Sequence, residues 1–199
     1  RMLGPEPQQM GFVKNLFWGR VRDDLLSPFP QQDELERRRC DTLLLRLDQY
    51  LSQEHPSIEI DRDQEIPSWV IERLFDLGVM GMTIPVKFGG LGLGITSYNR
   101  VLSRIGATCA ATSVMVSTHL SIGCRAIMDF GSTEQRQQWL PHLATHMLSA
   151  FCLSEPNVGC DAGGQETRCE LSADGNYFIV NGEKKWATSG ALSGMFTVT

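Results

Sequence analysis

The chain has 199 residues, 42% of them hydrophobic and 21% charged, the proportions of a globular protein that can bury a sizeable core, which excludes a disordered or fibrous chain. A formal net charge of -5, a pI near 5.4 and the absence of any long Lys/Arg run exclude the basic footprint that nucleic-acid binding needs. The six cysteines, at 40, 109, 124, 152, 160 and 169, form no C-x-x-C pair and stand near no His cluster at ligand spacing, which disfavours zinc and favours a compartment that keeps thiols reduced.

Residues 1–32 are rich in Pro, Gln and Gly around one apolar patch, Phe12, Val13, Leu16, Phe17 and Trp18, and read as an arm rather than a core. Over 33–52 the apolar Leu43, Leu44, Leu47, Tyr50 and Leu51 recur at helical spacing, with Asp33 placed to cap the start and Glu36-Arg37-Arg38-Arg39 on a solvated face. A second helix starts at Pro67, carries Val70, Ile71, Leu74 and Phe75, and ends at Gly78, where a left-handed C-terminal cap belongs. Beyond the Gly-rich turn at 89–94, one helix carries Val101, Leu102 and Ile105, and another is the small-residue segment 110–128. The stretch 110–130 comes nearest to a membrane span, but His119, Arg125 and several Ser and Thr break it well short of about 18 uninterrupted apolar residues, so it reads as a core helix. His119 then reads as a core histidine with one satisfied nitrogen rather than a catalytic base. Ser132-Thr133-Glu134-Gln135 has capping-box spacing and opens a short helix that Pro141 is expected to end.

Near Met147 the period changes to two. Strands are expected over 147–153, 166–171 and 177–180, with Asn181-Gly182 as the hairpin turn signal. Residues 195–199 read as a strand with no partner after it and the chain begins at Arg1 rather than Met, so a fragment of a longer protein is expected, any targeting segment lying upstream. The fold class is α+β: an arm over 1–32, an all-α domain over 33–146, and the beginning of a middle β-barrel-like domain over 147–199.

Chemistry concentrates in two stretches of that last region. Phe151-Cys152-Leu153 leads into Ser154-Glu155-Pro156-Asn157-Val158-Gly159-Cys160-Asp161, where Pro156 and Gly159 force a sharp turn that leaves backbone N–H groups to meet an acceptor such as a phosphate or a flavin edge. The second stretch is Lys184-Lys185-Trp186-Ala187-Thr188-Ser189-Gly190. From composition alone the simpler reading of 154–161 is a loop between strands, of Trp186 a core tryptophan, and of Lys184-Lys185 a solvated pair.

These stretches resemble the acyl-CoA dehydrogenase family. Residues 152–162 are similar to the family's C-L-T-E-P-x-x-G-S-D-A, and 181–190 to its N-G-x-K-x-W-I-[TS]-N-G. Ile84-Pro85-Val86-Lys87-Phe88-Gly89-Gly90-Leu91-Gly92 resembles V-P-E-x-Y-G-G-L-G, and Gly131 to Gln135 with Trp139-Leu140-Pro141 gives a fourth ordered match. The arm, with F-x-x-x-L-F-x-G before P-F-P, resembles the entry to the very-long-chain branch. Departures are Cys160 for Ser, a poorer hydrogen-bond donor, Ser154 for Thr, Ser189 for Asn, Ala187 for a larger aliphatic, and Ala144-Thr145-His146 where A-S-G is frequent.

The resemblance implies α,β-dehydrogenation of a fatty acyl-CoA with FAD as cofactor, electrons passing to electron-transfer flavoprotein, in a homo-oligomer of the bacterial cytoplasm or the mitochondrial matrix or inner-membrane face. It implies that Phe151, Leu153 and Ser154 line the isoalloxazine, that Trp186 lies against the ring with Ala187 beside it and Thr188 near N5, and that Gly159 and Cys160 approach the FAD phosphates, Cys160 also the acyl-CoA. The family's catalytic glutamate belongs to a C-terminal helical domain that this sequence does not contain; Glu155, preceding Pro in the turn, has a structural place instead. A flavin acyl-CoA oxidase, or a non-catalytic assembly scaffold of the same family, are the alternatives.

Overall fold

The computed structural model describes residues 10–28 and 31–199, so the Phe29-Pro30 part of the P-F-P stretch lies outside the described residues. Two compact units divide the chain, Arg1–Glu34 and Leu35–Thr199. In the smaller, the short helix α1 (Phe12–Phe17) turns around the buried Asn15, whose side-chain amide donates to the Met10 and Gly11 carbonyls at 3.0 Å each. Val13, Leu16 and Phe17 are exposed.

The larger unit begins with helices. In α2 (Glu34–Gln53) Cys40, Leu43, Leu47, Tyr50 and Leu51 are buried, one stripe at helical spacing. Glu36 does not lie on a solvated face: its carboxylate accepts from Gly94 N at 2.9 Å and Ser97 Oγ at 2.6 Å, an anion at the N-terminus of α5 (Ile95–Thr108). A helix not expected from the sequence, α3 (Ser57–Asp63), buries only Ile60, too little apolar surface to leave a periodic signal. In α4 (Ser68–Asp76) Val70, Ile71, Leu74 and Phe75 face the core, Pro67 precedes the first turn, and Gly78 at φ +85° ends it.

The Gly-rich turn is closed by backbone bonds from Leu91 N to Gly81 O, Gly92 N to Ile84 O and Leu93 N to Met82 O. Gly90 is obligatory there, since a Cβ would stand 2.1 Å from the Ile84 carbonyl oxygen. The rod α6 (Ala110–Thr118) continues through a π-turn (His119–Gly123) into α7 (Cys124–Phe130); the extra residue of the turn carries His119 and Gly123 inward. In α8 (Thr133–Thr145) Ser132 and Gln135 make the expected capping box, but Pro141 does not end the helix. The last turn survives its lost hydrogen bond because Leu140, Leu143 and Ala144 are buried and Thr145 Oγ1 donates to the Pro141 carbonyl at 2.8 Å.

Two small sheets follow. β1 (Ser149–Cys152) pairs in parallel with β4 (Met195–Val198), so the last strand has a partner earlier in the chain, with Phe151 opposite Thr197. β2 (Arg168–Leu171) and β3 (Phe178–Asn181) form an antiparallel hairpin whose turn lies around Asp174-Gly175, Gly175 at φ +70°, rather than at Asn181-Gly182. Gly182 serves a different need: a Cβ there would meet the Thr167 side chain at 2.2 Å. The architecture is thus a helical region followed by the first small sheets of a β-region, the α+β class read from the sequence.

His119 joins the two. It is 1% exposed, with Nε2 at 3.1 Å from both the Met80 and Leu143 carbonyls, while Nδ1 accepts from Ser149 N at 3.1 Å. Both ring nitrogens are satisfied, one more than expected, and burial pushes the imidazole down to about 4, so it stays neutral.

Candidate functional site at the exit of the first strand

β1 leaves the helical region at Ser149 and Ala150, both fully buried, and emerges at Phe151, Leu153 and Ser154, which are half-buried. Past Cys152 the chain turns back on itself, Glu155 N bonding to Val158 O at 2.9 Å and Val158 N to Glu155 O at 3.2 Å. The segment 184–186 lies along this exit: Lys185 N donates to the Ser154 carbonyl at 2.9 Å, and Lys185 Nζ to the Pro156 carbonyl at 3.2 Å. The two chemistry-bearing stretches, remote in sequence, are therefore side by side.

An ion pair underlies the junction. Lys184 Nζ lies 2.7 Å from Glu155 Oε1, with side chains only 10% and 2% exposed, and also donates to the Leu153 carbonyl at 3.1 Å. The Glu155 carboxylate accepts further from Glu166 N at 2.6 Å and Thr167 N at 3.0 Å. Lys184 first, and then these donors, hold Glu155 well below the usual carboxylate range, at about 2. A group so saturated is a poor proton acceptor, which agrees with its structural place. Lys184 is not solvated, because the partner that buries it stands 29 residues earlier in the chain, out of reach of local composition.

Trp186 is not a core residue either. Its side chain is 83% exposed and its φ is +63°, with Lys185 Nζ 5.9 Å from the ring centroid. A left-handed conformation at such a residue costs about 1–3 kcal/mol and persists only where the surroundings impose it. Ala187 is half-buried and Thr188 exposed; neither the Ser154 nor the Thr188 hydroxyl has a partner among the described residues. Thr188, Ser189 and Leu192 line a cavity of about 280 Å³ with Ala111 and Met115 of α6 and Gln64 to Ile66. Gly159 and Cys160 stand exposed on the loop beyond Val158, and no hydrogen bond among the described residues ties them to Ser154 or Trp186.

The structure thus brings Leu153, Ser154 and Trp186 together and sets Thr188 at the adjoining cavity, while Gly159 and Cys160 remain apart. Gln165 was not foreseen: its amide donates to the Leu153 carbonyl at 3.3 Å and to Thr199 Oγ1 at 2.9 Å, tying β1 and β4 at the exit. A lone Gln in a polar loop carries no signal of this. The arrangement offers an exposed indole one residue beyond the Lys185–Ser154 backbone bond, with the Ser154 and Thr188 hydroxyls uncommitted, groups that suit a planar heteroaromatic with hydrogen-bonding edges. Among the described residues there is no group of three or more His, Cys, Asp or Glu that could hold a metal, and no helix long and apolar enough to cross a membrane.

Comparison with known proteins gives this geometry a context. The chain matches the N-terminal domain of acyl-CoA dehydrogenase over residues 46–146 and its middle domain over 150–199. It is 32% identical to the probable acyl-CoA dehydrogenase FadE10 of Mycobacterium tuberculosis over all of this chain and 31% of that protein. It is 29% identical to the human mitochondrial very long-chain specific acyl-CoA dehydrogenase over 96% of this chain and 30% of that protein. The chain therefore spans about a third of the length of these curated relatives. Among solved structures, the Bacillus anthracis acyl-CoA dehydrogenase complexed with FAD superposes with a TM-score of 0.67 at 30% identity, covering 84% of this chain and 29% of that one. With both domain matches in chain order and the helical region feeding the sheet as the sequence predicts, the chain belongs to the acyl-CoA dehydrogenase family, a family of FAD-dependent enzymes.

Proposed function

We propose that, in the full-length protein, this chain forms the strand-exit side of a flavin site that dehydrogenates a long-chain fatty acyl-CoA between its α and β carbons. The observation that carries the reading is the interlock of residues 153–156 with 184–186, which holds the exposed Trp186 one residue beyond the backbone bond from Lys185 N to the Ser154 carbonyl. Phe151, Leu153, Ser154, Trp186, Ala187 and Thr188 would hold the isoalloxazine, and Gly159 and Cys160 the phosphates and the acyl-CoA. When bound, FAD supplies the hydride acceptor. The protein's own part is positional. Ser154 and Thr188 would each offer a hydroxyl hydrogen to the flavin, Trp186 would supply an aromatic plane that sheds water from it, and Leu153 would add apolar contact at the strand end. No residue of this chain is assigned as the base that takes the α-proton. Glu155 is excluded from that role by its three donors, Lys184 Nζ and the Glu166 and Thr167 amides. Electrons would pass to electron-transfer flavoprotein, the protein would assemble as a homo-oligomer in the bacterial cytoplasm or the mitochondrial matrix or inner-membrane face, and the helical domain would give way to the middle domain at residue 147.

The test is the full-length protein purified with its flavin. A yellow protein that bleaches under anaerobic conditions on addition of a long-chain acyl-CoA, and reduces electron-transfer flavoprotein faster than oxygen, supports the reading. Rapid consumption of oxygen instead would make it an acyl-CoA oxidase. A colourless protein that cannot be reconstituted with FAD would leave the assembly scaffold.

A further inference from the structure

Trp186 adopts a left-handed backbone conformation with an almost fully exposed side chain, so packing of the ring does not hold it there. The constraint must come from the chain on either side. Downstream, a tight turn fixes it, with Gly190 N on Ala187 O at 3.0 Å, Leu192 N on Ser189 O at 2.9 Å, and Ser189 itself left-handed at φ +61°. Upstream, a buried charge pair does so, Lys184 spanning the Glu155 carboxylate and the Leu153 carbonyl. Glu155 is in turn fixed by the Glu166 and Thr167 amides, so the clamp is anchored to the chain entering β2 as well. Lys185 N on Ser154 O completes a grip on both sides of Ser154.

We propose that Glu155 and Lys184 are positioning residues of the flavin site: the buried pair fixes the chain on both sides of Ser154 and holds Trp186 in the left-handed conformation that keeps its indole exposed. Buried ion pairs contribute little net stability against an apolar pair of the same size, because desolvation offsets their attraction; what they impose is one arrangement. Here that arrangement sets the geometry of two groups that belong to neither partner. The proposal deepens the functional reading above, on which its flavin half rests.

The experiment is 19F NMR of the full-length protein labelled with 5-fluorotryptophan, the Trp186 resonance assigned by Trp186→Phe, together with FAD titration by flavin fluorescence. Lys184→Met and Glu155→Gln are expected to shift and broaden the Trp186 resonance, to leave those of Trp69 and Trp139 in place, and to weaken FAD binding by about tenfold or more. Lys184→Arg, which reaches both acceptors with a cation, is expected to restore most of both. A Trp186 resonance and FAD affinity unchanged in both disrupting variants would overturn the proposal. If Lys184→Met fails to fold, Trp69 and Trp139 shift too, and the near-isosteric Glu155→Gln decides. If the unaltered protein binds no FAD, the functional reading fails, while the Trp186 resonance still decides whether the clamp positions the indole.

Discussion

Replacing His119 by Gln tests the joint between the helical and β regions. The imidazole donates from Nε2 to the Met80 and Leu143 carbonyls and accepts at Nδ1 from the Ser149 amide. Gln can reproduce the donor but has no acceptor at the δ position, so the Ser149 N–H is left buried without a partner. Such an orphan costs about 1–3 kcal/mol, a roughly 5- to 150-fold increase in exchange of the Ser149 amide if local opening carries it. The pH dependence should change as well. With the folded imidazole held at about 4 against an ordinary 6.5, the unfolded chain binds a proton that the folded chain refuses as pH falls below 6.5. Stability is therefore greatest above 6.5, declines by about 3 kcal/mol between 6.5 and 4, and levels off below. His119→Gln should start lower at pH 8 yet lack this slope, so the two stability curves approach each other and meet at about pH 6 for an orphan cost of about 1 kcal/mol and at about pH 4 for a cost of about 3 kcal/mol. Hydrogen exchange at Ser149 and thermal midpoints from pH 8 to 4 measure both effects. A variant that keeps the wild-type slope, or full protection of the Ser149 amide, would refute the account of His119 as a neutral double bridge.

Three further outcomes follow from single contacts. Ser132→Ala removes the side-chain half of the capping box at α8 and should cost about 0.5–2 kcal/mol, read as a lowered thermal midpoint that Ser132→Asp largely avoids. Gly90→Ala forces a Cβ to 2.1 Å and 2.5 Å from two backbone carbonyls that already close the turn, and should cost at least about 1–3 kcal/mol; a soluble variant with an unchanged melting point would contradict it. Cys160 is exposed, so Cys160→Ser should leave stability unchanged; if the thiol stands where a hydroxyl would donate to a phosphate oxygen, FAD should bind about three- to tenfold tighter, measured by titration against the wild type.

What was legible in the sequence was what is decided locally. The apolar stripe of α4 with Pro67 before it and Gly78 after it, and the Ser132/Gln135 box, are settled within a few residues, and the structure reproduces them. Pro141 misled because the rule for proline is local while the last turn of α8 is held by burial of Leu143 and Ala144 against the rest of the unit. Asn181-Gly182 misled because glycine answers two different needs: the turn needed a positive φ, supplied by Gly175, whereas Gly182 supplies close approach to Thr167.

The site divides in the same way. Motif resemblance singled out Ser154 and Trp186, and Lys184 came with the motif, yet composition assigned that lysine to solvent and the tryptophan to the core, the reverse of what the structure contains. The inversion has one cause. Lys184 is buried because Glu155, 29 residues earlier, needs a cation once the β2 entry has folded over it, and Trp186 is exposed because the same clamp turns the chain outward at the next residue but one. Burial of a charge and exposure of an aromatic are each unfavourable alone. Their occurring together, two residues apart, is a local conflict of the kind that functional surfaces carry, and it is what the proposed flavin site would account for.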